Sequence, residues 1–232
     1  MQDKEWLMQK ITIALNHNRA YFGGLLIILF AAAFLIAVKG NDTCISQSTH
    51  SPFYLNVFFI NFTFMGDSIF ASCLVAAMLF YFKKKKLGFG LLYSFLISGL
   101  AIQAIKNLVN LSAPKFYFEA GTYMNFIDGS TLDSQAGLPS GHTAIAFALA
   151  TIWVLMMKNR KMQLLLLTGT VVIAYSRIYL AQHFLLDIII GALVGAISGL
   201  VSFYLIQNSI TIEGSASKIY QLPPSAGTMQ PA

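Results

Sequence analysis

Ser176, Arg177, His183 and Asp187 stand within a stretch of otherwise apolar sequence, and no other short segment of the chain is as well equipped for chemistry. Ionisable groups are costly in hydrocarbon, so they persist there when they are paired or reactive. His183 and Asp187 are four residues apart, which on a helix would put them on one face within reach of each other. A carboxylate against an imidazole fixes its tautomer and favours its charged form. That arrangement prepares a histidine to act as base or nucleophile. A second histidine lies in Pro139-Ser140-Gly141-His142, a segment that opens a helix with Ser140 as its N-cap. Glycine lets backbone amides come close to a ligand, and amides at a helix start favour an anion. Lys106 adds a point charge and Arg177 a planar fork suited to phosphate. Together these groups describe a site for a tetrahedral oxyanion flanked by two histidines. Phosphoryl transfer needs charge stabilisation, a nucleophile on one side and a proton donor on the other.

These residues have to be positioned by membrane-spanning helices. The chain has 232 residues, 56% hydrophobic and only 10% charged, against about 25% charged in soluble domains. Six apolar runs are candidate spans: Tyr21–Val38, Ser68–Phe82, Leu87–Ile105, Thr143–Met157, Met162–Leu180 and Phe184–Ile206. The expected fold is all-α: a short cytoplasmic segment over 1–20, a six-helix polytopic bundle over 21–206, and a polar, disordered cytoplasmic tail over 207–232. The apolar stretch Phe53–Met65 has two readings, a helix lying at the outer interface or the first part of a long, tilted second span. The first span is longer than a secretory h-region and is read as an uncleaved anchor.

Eleven of the fifteen Lys and Arg fall in the segments that share a side with the N-terminus. The excess of positive charge puts that side, and both termini, in the cytoplasm. Lys106, Ser140, His142, Arg177 and His183 then converge on the opposite face, periplasmic or exterior. The net charge of +6 arises from lysines flanking apolar spans, so it is not read as nucleic-acid binding. His17 and His50 sit in polar flanks and are read as surface residues. Cys44 and Cys73 lie too far apart in the topology for a disulfide framework. Three glycosylation-like triplets, Asn41-Asp42-Thr43, Asn61-Phe62-Thr63 and Asn110-Leu111-Ser112, are of a kind common by chance and would mean nothing in a bacterium.

The residues resemble the type 2 phosphatidic acid phosphatases, integral-membrane lipid phosphatases related to vanadium haloperoxidases. That family's signature is Lys-x6-Arg-Pro, then Pro-Ser-Gly-His, then Ser-Arg-x5-His-x3-Asp. The second part is intact as Pro139, Ser140, Gly141 and His142. The third is intact as Ser176, Arg177, His183 and Asp187. In the first, Lys106 and Pro114 are present but Ala113 stands where the family has arginine. Lys115 offers a charge nearby but not a bidentate fork. The likeness spans roughly residues 66–206.

The resemblance implies a membrane enzyme of the inner membrane that hydrolyses a phosphomonoester or diphosphate headgroup. The substrate is a phospholipid, a polyprenyl diphosphate or a lipid A phosphate. His183 is implied as nucleophile through a phosphohistidine, Asp187 as its partner and His142 as general acid. Lys106, Ser140, the Gly141 amide and Arg177 are implied as phosphate ligands. Ser176 helps to position the Arg177 loop, and Asp67 is a further candidate for the same cavity. No metal or other cofactor is expected. Two histidines in opposite protonation states predict a bell-shaped pH–rate profile near neutrality. The segment 116–138 could cover the site and read the headgroup, or anchor itself by its aromatics at the interface. Two alternatives stay open: phosphate transfer from lipid to lipid, and a catalytically weak phospholipid-binding member, the latter motivated by Ala113.

Overall fold

A computed structural model describes residues 2–41, 52–109, 137–157 and 159–219. Among them the chain forms eight α-helices: α1 (Gln2–His17), α2 (Arg19–Lys39), α3 (Phe53–Thr63), α4 (Ser68–Ala76), α5 (Lys85–Val109), α6 (Gly141–Met156), α7 (Arg160–Tyr179) and α8 (Leu185–Ile219). No strand occurs among the described residues.

Helix α6 is apolar all round, and such a helix belongs in the centre of a bundle. Twelve of its sixteen residues are buried, and α5, α7 and α8 surround it. Helix α2 is the opposite case. Only Tyr21 and Leu25 are buried, while Ile27, Phe30 and Phe34 are each more than 70% exposed and face the place of lipid.

The α6–α8 seam is made by three glycines four residues apart. A Cβ on Gly191 would lie 2.7 Å from the Ser140 carbonyl oxygen; one on Gly199 would lie 2.7 Å from the Thr151 Cβ; one on Gly195 would strike the Ala144 carbonyl oxygen. Between membrane helices, close backbone approach at small residues replaces the hydrophobic drive available in water. Buried hydroxyls add interhelical bonds: Tyr21 Oη pairs with Thr151 Oγ1 at 3.0 Å, and Ser202 Oγ donates to the Gly90 carbonyl at 2.6 Å.

Four helices (α2, α5, α7 and residues 185–209 of α8) are long and apolar enough to cross a bilayer. A fifth span results if the bent segment 53–81 counts as one, and α6 is too short to meet the same test. The expected six spans are therefore not all reached. The reason is physical: α6, about 24 Å long at 1.5 Å per residue, is enclosed by its neighbours and need not match the bilayer thickness itself. Of the two readings of residues 53–65, the unbroken first part of a long second helix is not met. Helix α3 ends in a 3₁₀ turn at Phe64–Gly66, and the chain bends by 55° before α4. Helix α4 passes into a π-turn at Ala77–Tyr81. Helix α8 continues past Ile206 to Ile219, where a disordered tail is expected from residue 207. A helix already nucleated by an anchored span propagates cheaply, and no proline intervenes before residue 223. Residues 220–232, Cys44 and His50 lie outside the described residues.

Candidate active site

Two tight chain reversals build the site. Helix α7 ends after Tyr179, and Ala181 takes a left-handed conformation (φ 52°) that costs about 1–2 kcal/mol for a residue with a Cβ. The reversal lets the Arg177 carbonyl accept from the amides of both Gln182 (3.0 Å) and His183 (3.3 Å). His183 therefore lies in the α7–α8 connection, not on the helix that carries Asp187. The pair expected from the spacing still forms, across the start of α8. Asp187 Oδ2 meets His183 Nδ1 at 3.3 Å and accepts the Phe184 amide at 2.9 Å. One carboxylate thus caps the helix and orients the imidazole. With Nδ1 directed at Asp187, Nε2 is left with the lone pair. Burial, partly offset by the Asp187 hydrogen bond, holds this imidazole below the ordinary histidine range; the charges of Arg177 and Lys106 push the same way as burial.

The second reversal is Pro139-Ser140 at the start of α6. Ser140 is its N-cap, as the sequence predicts. Its Oγ accepts from the Thr143 hydroxyl at 3.0 Å and from the Thr143 amide at 3.5 Å. The Ser140 amide donates to the Asp187 carbonyl at 3.1 Å, which ties the two motifs together directly. Gly141 has open space beside it, the nearest heavy atom to a built Cβ being 4.0 Å away. Its amide therefore sits at an accessible helix start, where the dipole favours an anion.

The α3–α4 bend closes the third side. Arg177, buried in the last turn of α7, donates through Nη1 to Thr63 Oγ1 at 3.1 Å, while its Nε finds no partner among the described residues. Asp67 caps α4 by accepting the Ile69 amide at 2.8 Å with Oδ1 and turns Oδ2 to His142 Nε2 at 3.7 Å. Gly66 makes this approach feasible, because a Cβ there would lie 2.9 Å from the His142 carbonyl oxygen. Phe59 packs on Tyr179 with centroids 4.3 Å apart, and Tyr179 donates to Asn56 Oδ1 at 2.6 Å, so α3 is fastened to α7 beside Arg177. Lys106, half-buried in the last turn of α5, lies close enough for its charge to act on Arg177, His142 and His183.

The structure therefore brings together Lys106, Ser140, Gly141, His142, Arg177, His183 and Asp187. It also gives Asp67 a definite partner in His142. Ser176 is different: its hydroxyl donates to the Ile173 carbonyl of its own helix at 2.6 Å and does not turn toward the cluster. Lys115, Ala113, Pro114 and most of the segment 116–138 lie outside the described residues. Thr63 and Asn41, whose Oδ1 accepts the Leu186 amide at 2.9 Å, are site partners that the sequence analysis set aside as parts of chance triplets. Only the polar character of these residues beside apolar runs hinted at a role. Among the described residues no group of three His, Cys, Asp or Glu is placed to hold a metal ion. Beside the third motif, an apolar cleft of about 130 Å³ opens between α2, α7 and α8, lined in part by Leu25, Ile178, Leu185 and Ile188.

A sequence profile of the PAP2 superfamily matches residues 87–211. An undecaprenyl-diphosphatase of Sulfolobus acidocaldarius is 30% identical over 149 residues, 64% of this chain and 67% of that protein. A lipid A 4'-phosphatase of Bacteroides thetaiotaomicron is 31% identical over 75 residues, 32% of this chain and 33% of that one. Among solved structures, Aquifex aeolicus LpxE superposes with a TM-score of 0.58 at 27% identity, covering 70% of this chain and 93% of the other. A transmembrane PAP2-type phosphatidylglycerolphosphate phosphatase of Bacillus subtilis superposes with a TM-score of 0.56 at 22% identity, covering 86% and 98%. That last likeness speaks for the fold alone.

Proposed function

The chain belongs to the PAP2 superfamily, and from that premise we propose that it is a membrane phosphatase releasing phosphate from a lipid phosphomonoester or diphosphate through a phosphohistidine on His183. The observation that carries this reading is the buried His183–Asp187 pair tied to the Ser140 turn and faced by Arg177 and Lys106. In the first half-reaction, His183 Nε2 bonds to phosphorus as the bond to the leaving oxygen breaks. His142 gives that oxygen its proton; burial and the charges of Arg177, His183 and Lys106 lower its pKa to about 3 in the free protein, and the arriving phosphate charge raises it. In the second, water attacks phosphorus, the P–N bond breaks, and the water's proton returns to His142. Arg177, Lys106 and the Gly141 amide hold the equatorial oxygens, where negative charge builds. Asp187 offsets the charge that His183 acquires.

The hydrocarbon part of the substrate suits the apolar cleft beside the third motif. Candidate substrates are those that the relatives' names print: undecaprenyl diphosphate and a lipid A phosphate. The lysine distribution supports cytoplasmic termini and a site at the outer face.

The test is phosphate release by the purified protein from a panel of these lipids, beside His183→Ala. Release from at least one lipid that falls by about 10³-fold or more in the variant supports the mechanism. Equal release by both proteins removes His183 as nucleophile. Ala113→Arg in the same assay separates a rate defect from a change of lipid preference: the added guanidinium raises the rate on every lipid in the first case and reorders the panel in the second.

A further inference from the structure

The end of the bundle away from His142 and His183 carries a second built cavity. Lys86 opens α5 and Lys106 closes it, about 30 Å apart along the helix axis. Around Lys86 a cavity of about 610 Å³ is framed by Lys10, His17, Asn18, Gln207 and the apolar side chains of Met156 and Phe203. A neighbouring cavity of about 500 Å³ shares Lys86, Met156 and Met157 and adds Lys84, Lys85 and Trp153. Both volumes fall within the range of small-molecule sites. Lys10 and Lys86 are near enough for their like charges to act on each other.

We infer that this cavity holds one intact anionic phospholipid, with its phosphodiester between Lys10 and Lys86. The methionine, phenylalanine and tryptophan walls favour a lipid over a free anion, because a soluble phosphate would leave them wet. The lysines flank helix ends at the height of a membrane surface, where cationic side chains attract anionic headgroups. The lipid is a bound component and not a substrate, since the described lining of the two cavities has no carboxylate to pair with His17. The inference is independent of the chemistry at the other end.

The test titrates the full chain, delipidated in neutral detergent, with dioctanoyl phosphatidylglycerol, dioctanoyl phosphatidylcholine and glycerol 1-phosphate. Native mass spectrometry and the unfolding midpoint give the readout. One phosphatidylglycerol per chain is expected, bound about tenfold or more tighter than phosphatidylcholine, whose headgroup has no net charge. Lys86→Gln with Lys10→Gln should lose that preference and Lys86→Arg should keep it, all with an unchanged midpoint in the absence of lipid. If the double variant lowers that midpoint, Lys86→Gln alone against Lys86→Arg decides. Equal binding of the two lipids overturns the inference. So does glycerol 1-phosphate binding as tightly as the lipid. Binding that survives in the lysine variants but disappears in Arg177→Gln places the lipid at the catalytic end and overturns it equally.

Discussion

Compared end to end, the bundle handles positive charge in two ways. Where the histidines lie, charge is enclosed: Arg177, His183 and Asp187 are buried, and each has a fixed partner. At the other end Lys83, Lys84, Lys85 and Lys86 are exposed on the rim of the helices. Enclosed charge is kept by geometry, because an unpaired ion in a low-dielectric interior is prohibitive. Rim charge is kept by solvent, with long side chains reaching the interface. The same residue class is therefore enclosed at one end and solvated at the other. Sensitivity to substitution should differ accordingly.

The largest effect is expected at Asp187. Asp187→Asn keeps an oxygen for the Phe184 amide but loses the charge and the tautomer control, so phosphate release should fall by about 10⁴-fold with little change in unfolding temperature. An effect under tenfold would remove Asp187 from the chemistry. Next comes the seam that joins the ends. Gly195→Val drives a side chain into the α6 backbone and should cost about 1–3 kcal/mol or more in stability. Gly169→Ala, with nothing within 4 Å, should leave the protein as stable or up to about 1 kcal/mol more so. Thermal unfolding in one detergent compares the two, and equal destabilisation would dismiss close approach as the reason for glycine at Gly195.

Asp67→Asn tests whether the α3–α4 bend belongs to the catalytic end. It keeps an N-cap oxygen and removes the charge beside His142 and Arg177. A fall of about tenfold in kcat is expected, with KM less affected. A wild-type rate would make Asp67 a cap alone. A pH series sharpens the electrostatic side of the contrast. In the proposed mechanism the nucleophile is the neutral imidazole, and burial holds His183 below the usual range, so that form persists as pH falls through about 6.5. The acid limb of kcat/KM should therefore lie below about 6.5, and a limb centred above pH 7 would contradict it. The smallest effect is expected at the rim: Lys84→Gln or Lys85→Gln should change stability by no more than about 0.5 kcal/mol.

The catalytic end was legible where polar residues interrupt apolar sequence at fixed spacing. Ser140 as cap, His183 with Asp187, and the gathering of Lys106, His142 and Arg177 all follow from local pattern plus span topology. Less was legible where a role depends on a distant partner. Thr63 accepts from Arg177 across 114 residues, and Asn41 caps α8 across 145. Nothing within either triplet distinguishes such a partner from an ordinary polar loop residue. The position of His183 outside the helix was also hidden, because spacing of four suits a helix start as well as a helix face. The break between α3 and α4 depends on Gly66 packing beside His142, a contact that periodicity does not encode.

The double acceptance by the Arg177 carbonyl has one more consequence. With Gln182 and His183 both fastened to it, the connection between α7 and α8 has no slack, and distance along the chain is itself a functional quantity. A single residue inserted between Ala181 and His183 would leave every reactive side chain present yet swing the nucleophile out of register with the guanidinium. Tolerance of length change should be lowest in this short bridge, whatever the identity of the inserted residue.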